Sequence, residues 1–170
     1  IRDYPFMFSK LVLKDTLLIP EFAKDSTYRM PISLDILPVD NVPDSPSAFR
    51  AMSRRTWLWG RLLFLRGTPR PYLIGITGAR RAAIYTVTST VHWIMRGLGL
   101  TPRFLQSRWE RAARRYEHVR TKRMADFSMR DPENWALTRD ELFPVREVPF
   151  EDITVMLPHE YDALLRRGYG

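Results

Sequence analysis

The sequence predicts an α+β fold, and three observations predict it. Short apolar runs bounded by prolines open the chain. Three- and four-residue periodicity dominates from about residue 46 to 124. Two strand-like runs and a short amphipathic segment then close it. With 170 residues, 45% of them apolar, the chain is long enough for a single domain, 1–170, with its own core.

The elements follow in order. "PFMFSKLVLKD" (5–15) is mostly apolar and strand-like, and "TLLIP" is a second short extended run. "EFAKDSTYRM" reads as a polar connector. "PISLDILP" (31–38) reads as a strand capped by prolines at both ends. At a period of two, Ile32, Leu34 and Ile36 share one face, while Ser33, Asp35 and Leu37 share the other. Asp44 and Ser45 are candidate N-caps for a helix that runs to about Arg66 and is weakened at Gly60. A second helix is expected from about Ala79 to Arg96, stopped by "GLGLTP". In "PRFLQSRWERAARRYEHVRTKRM" (102–124), Leu105, Trp109, Ala112, Tyr116 and Val119 recur at helical spacing, and the opposite face is nearly all arginine. "REVPFED" and "ITVMLP" predict a hairpin turning at Glu151-Asp152, and "HEYDALLRRGYG" a final helix ending at Gly168.

Composition excludes several classes. With no cysteine, a disulfide framework and a thiolate zinc site are ruled out. His92, His118 and His159 lack ligand spacing and read as surface or packing histidines. No Gly-rich phosphate loop, G-x-S-x-G or H-E-x-x-H motif occurs. The first residues lack the basic-then-apolar pattern of a signal peptide. The most apolar window, "AAIYTVTSTVHWIM", is too short and too rich in hydroxyls to span a bilayer. Formal net charge is +8, concentrated over residues 50–130; such a field recruits polyanions or anionic membrane surfaces, while most single arginines read as a solvated surface or as the product of a GC-rich genome.

The least ordinary stretch is "MPISLDILPVDNVPDS", an apolar run with an acid at its centre. A buried carboxylate costs several kcal/mol unless it is paired, hydrogen-bonded or bound to a cation. Asp35 therefore needs either a basic partner or a metal ion, and composition does not separate the two. Asp40, before Asn and near Pro, has the character of a turn cap as well as that of an oxygen ligand.

Three blocks, in order, resemble the LicD family, which includes fukutin-type proteins. "FSKLVLKDT" is similar to its Phe-Ala-Lys segment. "ISLDILPVDNVPD" is similar to its signature strand, apolar-Asp-apolar-Phe-Pro-apolar-Asp, and the Val-Pro-Asp turn after it. "LFPVREVPFEDITVMLPHEYDALLRRGYG" is similar to its closing segment. The resemblance implies a nucleotidyltransferase-like mixed sheet, interrupted here by a helical insertion at about 46–124. It implies transfer of a phospho-substituent, of the phosphocholine or ribitol-phosphate kind, from a CDP-activated donor to a cell-envelope glycan or teichoic-type acceptor. Mg²⁺ or Mn²⁺ would serve as cofactor, with Asp35 as a metal-ligating catalytic acid. Lys10 is implied as a phosphate contact, and Asp40, Tyr161 and Tyr169 as substrate-binding residues. Asp162 also matches the closing block.

Departures from the pattern are specific. The family's first metal acids belong to an upstream "Pro-Trp-Asp-Asp-Asp" type of segment, which this chain does not contain. The family's Arg-Asp after the lysine segment is Val12-Leu13 here, and the residues flanking the signature strand are Pro31 and Leu37. The chain is therefore expected to be the C-terminal portion of a longer transferase, inactive by itself, cytoplasmic, and in peripheral contact with the inner face of a membrane. The competing reading is a non-catalytic basic module or a pseudo-enzyme. Its 108–123 helix would engage nucleic acid, anionic lipid or a partner chain, whereas the transferase reading expects no specific nucleic acid.

Overall fold

The computed structural model describes residues 5–20 and 29–170. The connector expected at 21–30 lies almost wholly outside them. Mixed α and β structure is present, with small antiparallel sheets. The chain divides into two compact units, residues 1–37 with 55–112, and residues 38–54 with 113–170.

In the first unit, β1 (Ser9–Val12) pairs antiparallel with β2 (Ser33–Ile36), placing Lys10 opposite Asp35 and Leu11 opposite Leu34. The period-two reading of this strand holds, since Leu34 and Asp35 point to opposite faces. Burial does not follow the same expectation. Leu11, Leu34 and Ile36 are all more than half exposed. Asp35 therefore sits in a solvent-exposed ladder, and the full desolvation cost of a buried carboxylate does not apply to it.

Helix α1 (Pro46–Gly67) spans the boundary between the units and matches the expected helix within a residue at each end. The Ser45 carbonyl accepts from the Phe49 N–H at 2.9 Å, which makes Ser45 the N-cap position. Gly60 is tolerated inside the helix because its bare face takes Met7 and Trp109; a Cβ there would come within 3.2 Å of the Met7 methyl. Helix α2 (Gly78–Gly97) and helix α3 (Pro102–Ala113) complete the unit. Its core is Leu63, Met95 and Leu105, flanked by Trp59, Val91 and Leu100. Burying such side chains contributes about 1.5–3 kcal/mol each.

The third helix ends earlier than its periodicity suggests. Leu105, Trp109 and Ala112 are buried as expected, but residues 114–116 tighten into a 3-10 turn and Val119 is exposed. Asn41 supplies the physical reason. Its side-chain amide donates to the carbonyls of Tyr116, Glu117 and Val119 at 3.1–3.4 Å, satisfying the backbone acceptors that a helix end leaves open. The "KRMA" segment is then free to become a strand.

That strand belongs to the second unit. β3 (Asp40–Val42), β4 (Arg123–Ala125) and β5 (Leu137–Thr138) form a three-stranded antiparallel sheet in that order. Asp40 thus opens a strand instead of capping a turn. Val42, Met124, Ala125 and Leu137 from the sheet are buried, as are Phe49, Met52 and Phe127. Helix α4 (Arg139–Leu142) starts with a capping box between Thr138 and Glu141. The hairpin of β6 (Arg146–Phe150) and β7 (Ile153–Leu157) turns at the expected Glu151-Asp152, with Glu151 at φ 53°. Helix α5 (Tyr161–Tyr169) ends one residue beyond the expected Gly168.

Candidate functional site

The two unusual residues of the opening strands meet. Lys10 and Asp35 are direct cross-strand neighbours, and the Lys10 ammonium forms an ion pair with the Asp35 carboxylate. The lysine is nearly enclosed and its ammonium lies 5.5 Å from the Phe6 ring centre and 5.0 Å from that of Phe8. The carboxylate, at 45% exposure, faces outward. An ammonium held by aromatic faces beside an accessible acid can donate to an anionic oxygen that takes the place of that acid.

A divalent cation is a separate matter. Mg²⁺ is usually held by one or two carboxylates together with waters and substrate phosphates. Asp35 has the oxygen chemistry and the exposure to supply one of them. Among the described residues, no group of three His, Asp or Glu side chains could hold a metal ion by itself. Asp35 fits as a single ligand and not as a site.

Asp40 belongs to the other unit, where it acquires neighbours that the sequence did not reveal. It is paired in register with Ala125, and so lies beside Asp126. Burial raises the pKa of Asp40, the Arg114 guanidinium draws it back down, and the negative charges of Glu117 and Asp126 push it up. Asp126, only 6% exposed, is also raised by burial, against hydrogen bonds from the Ser128 N–H at 2.7 Å and the Ser128 hydroxyl at 2.8 Å. Arg114 binds Glu117 directly and lowers its pKa through that hydrogen bond. Two acids of raised proton affinity are thus neighbours here, with the Arg114 guanidinium acting on Asp40. The Asp126-x-Ser128 spacing, which closes an Asx-type turn, was the sequence signal for this acid.

The tyrosines of the closing block lie at the two ends of α5. Tyr161 is half-buried; Tyr169 is exposed and meets Trp135 edge-on, with ring centres 5.0 Å apart. Asp162 pairs with Arg166 one turn on, at 2.8 Å. Arg167 anchors the helix by donating to the Ala136 carbonyl and to Glu141, whose pKa it lowers. These contacts are architectural. Of the expected site residues, the structure brings together Lys10 and Asp35, and places Asp40, Tyr161 and Tyr169 at separate positions of the second unit.

The histidines follow the packing reading at His92, which is buried with Nδ1 3.0 Å from the Leu65 carbonyl. The basic charge has a sharper boundary than its total suggests. Residues 45–109 contain eleven arginines and no acid. No helix among the described residues is long and apolar enough to cross a membrane.

Comparison with family models, with curated proteins and with solved structures gives no match for this chain.

Proposed function

We propose that this chain carries the phosphate-handling strands of a LicD-type transferase with a nucleotidyltransferase-like sheet, acting on a CDP-linked donor and a glycan or polyanionic envelope acceptor. The observation that carries the reading is the Lys10–Asp35 pair, in which the lysine and the acid of two separate sequence blocks are adjacent on one ladder. In this role Lys10 contacts the diphosphate of the donor. Substrate phosphate competes with Asp35 for the ammonium and frees the carboxylate. Mg²⁺ or Mn²⁺, when bound, supplies charge neutralisation of the diphosphate, with Asp35 as one of its ligands.

The test is turnover of CDP-choline and CDP-ribitol by the protein. Asp35→Asn is expected to reduce transfer by at least about a hundredfold with an unchanged far-ultraviolet circular dichroism spectrum. Lys10→Gln is expected to act mainly through KM for the donor. Undiminished transfer in Asp35→Asn removes the acid from the site, and a wild-type protein inert towards CDP-linked donors removes the reading. A second reading, a basic module without catalysis, is favoured by the acid-free run from 45 to 109 and predicts that neither substitution changes binding of an anionic partner.

A further inference from the structure

Helix α2 breaks the usual rule for a surface helix. One stripe of such a helix should be apolar and the rest charged. Here residues 82–95, nearly four turns, contain no formally charged side chain on any face. The inward stripe is accounted for by His92 and Met95, which are buried, and by Val91, which packs on the core. The outward stripe is not covered: Val87 is 62%, Trp93 65% and Ile94 54% exposed. One of its hydroxyls is taken up by the helix backbone. Thr86 donates back to the Ala82 carbonyl at 3.0 Å, so its hydroxyl is satisfied within the helix. A helix uncharged all round normally lies in a protein core or in lipid.

Charge surrounds this stripe. Arg80 and Arg81 precede it and Arg96 follows it. The Arg96 guanidinium lies 5.5 Å from the Trp93 ring centre, and that of Arg81 lies 5.2 Å from the Tyr85 ring centre. A groove of about 830 Å³ runs along the helix, lined in part by Arg70, Tyr85, Ser89, Thr90 and Trp93. Among the described residues, no carboxylate forms an ion pair with Arg70, Arg81 or Arg96.

We propose that the outward face of α2 docks on an anionic phospholipid surface, with Trp93, Ile94 and Val87 in the headgroup–acyl boundary and the Arg70 groove seating a headgroup phosphate. The inference is independent of the transfer reading. Charge complementarity selects the occupant. A second copy meeting this face symmetrically would set arginines against arginines, with no acid between residues 45 and 109 to relieve them. A nucleic acid would satisfy the arginines and stack on Trp93, but it gives Val87 and Ile94 nothing to bury against. Anionic lipid answers both: phosphates for the guanidiniums, and an interface in which indole and aliphatic groups are stable. The helix lies on the bilayer and does not cross it.

Co-sedimentation of the full chain with vesicles tests this directly. With phosphatidylcholine alone the protein should stay in the supernatant. With phosphatidylglycerol included it should pellet, less so as salt rises. Trp93→Ala combined with Ile94→Ser should weaken partition at least about tenfold, with an unchanged circular dichroism spectrum because both side chains are exposed. Arg70→Gln and Arg96→Gln should each weaken it about fivefold. Wild-type protein that ignores anionic vesicles overturns the proposal, as does a Trp93/Ile94 double variant that pellets like the wild type. A single-stranded oligonucleotide that binds more tightly than the vesicles, and loses as much on Trp93→Ala, reassigns the face to nucleic acid.

Discussion

Asp126 is the residue on which depth and charge oppose each other most clearly. Burial raises its pKa and that of Asp40, so the folded state holds their protons more tightly than the unfolded chain does. A raised folded pKa favours folding at low pH, and that contribution is lost as pH rises from about 4 through the folded value. Asp126→Asn removes the titration. Relative to wild type, the variant should gain stability as pH is raised from about 4 to 7, read as the difference in urea midpoints across that range. A constant difference would mean that Asp126 ionises as freely in the fold as in water. Glu141 works in the opposite sense: Arg167 lowers its pKa, and its contribution is lost as acid protonates it. Asp35 is milder. As an exposed cross-strand partner of Lys10 it should contribute only about 0.2–1 kcal/mol, so a large loss of transfer in Asp35→Asn would separate chemistry from folding.

At the scale of elements, Gly168 reverses a general preference. Glycine within a helix normally costs about 1 kcal/mol relative to alanine. In α5, however, a Cβ at residue 168 would stand 2.5 Å from the Trp135 ring. Gly168→Ala should therefore destabilise the protein by about 1–3 kcal/mol, the usual cost of overpacking, measured by denaturant unfolding; a stabilised variant would show that α5 does not sit on Trp135. This contact also marks what could be read in advance. Helices α1 and α2 were legible because their caps, glycines and prolines are local signals, and the β6–β7 hairpin because two strand-like runs flank a short polar turn. The β3–β4–β5 sheet was not. Its strands are three, three and two residues long, too short for a period to register. Asp40 meets Ala125 across a long stretch of intervening chain, and the fate of Asp126 follows from that pairing. Nor could the pattern show that the Leu11–Leu34 ladder is exposed, because alternation identifies a face and not what covers it.

For the whole molecule, the charge distribution decides behaviour more than any single contact. A net charge of +8 with an acid-free run of 65 residues leaves the arginines of that region to repel one another. Raising ionic strength from about 0.01 to 0.15 M shortens the screening length from about 30 to 8 Å. Tm should rise by about 2–4 °C if roughly 1 kcal/mol of repulsion is relieved, as followed by differential scanning calorimetry. A fall in Tm would show that ion pairs outweigh repulsion. Part of the candidate site was legible at this scale too: Lys10 and Asp35 stood out by residue type, but their adjacency needed the ladder.

The seat of α5 has an optical consequence. Trp135 is lodged between the bare backbone of Gly168 and the edge of the Tyr169 ring. Detachment of the last helix would strip this chromophore of both neighbours at once. In a variant whose other four tryptophans are replaced by phenylalanine, the indole is thereby an intrinsic gauge of whether the closing segment is seated.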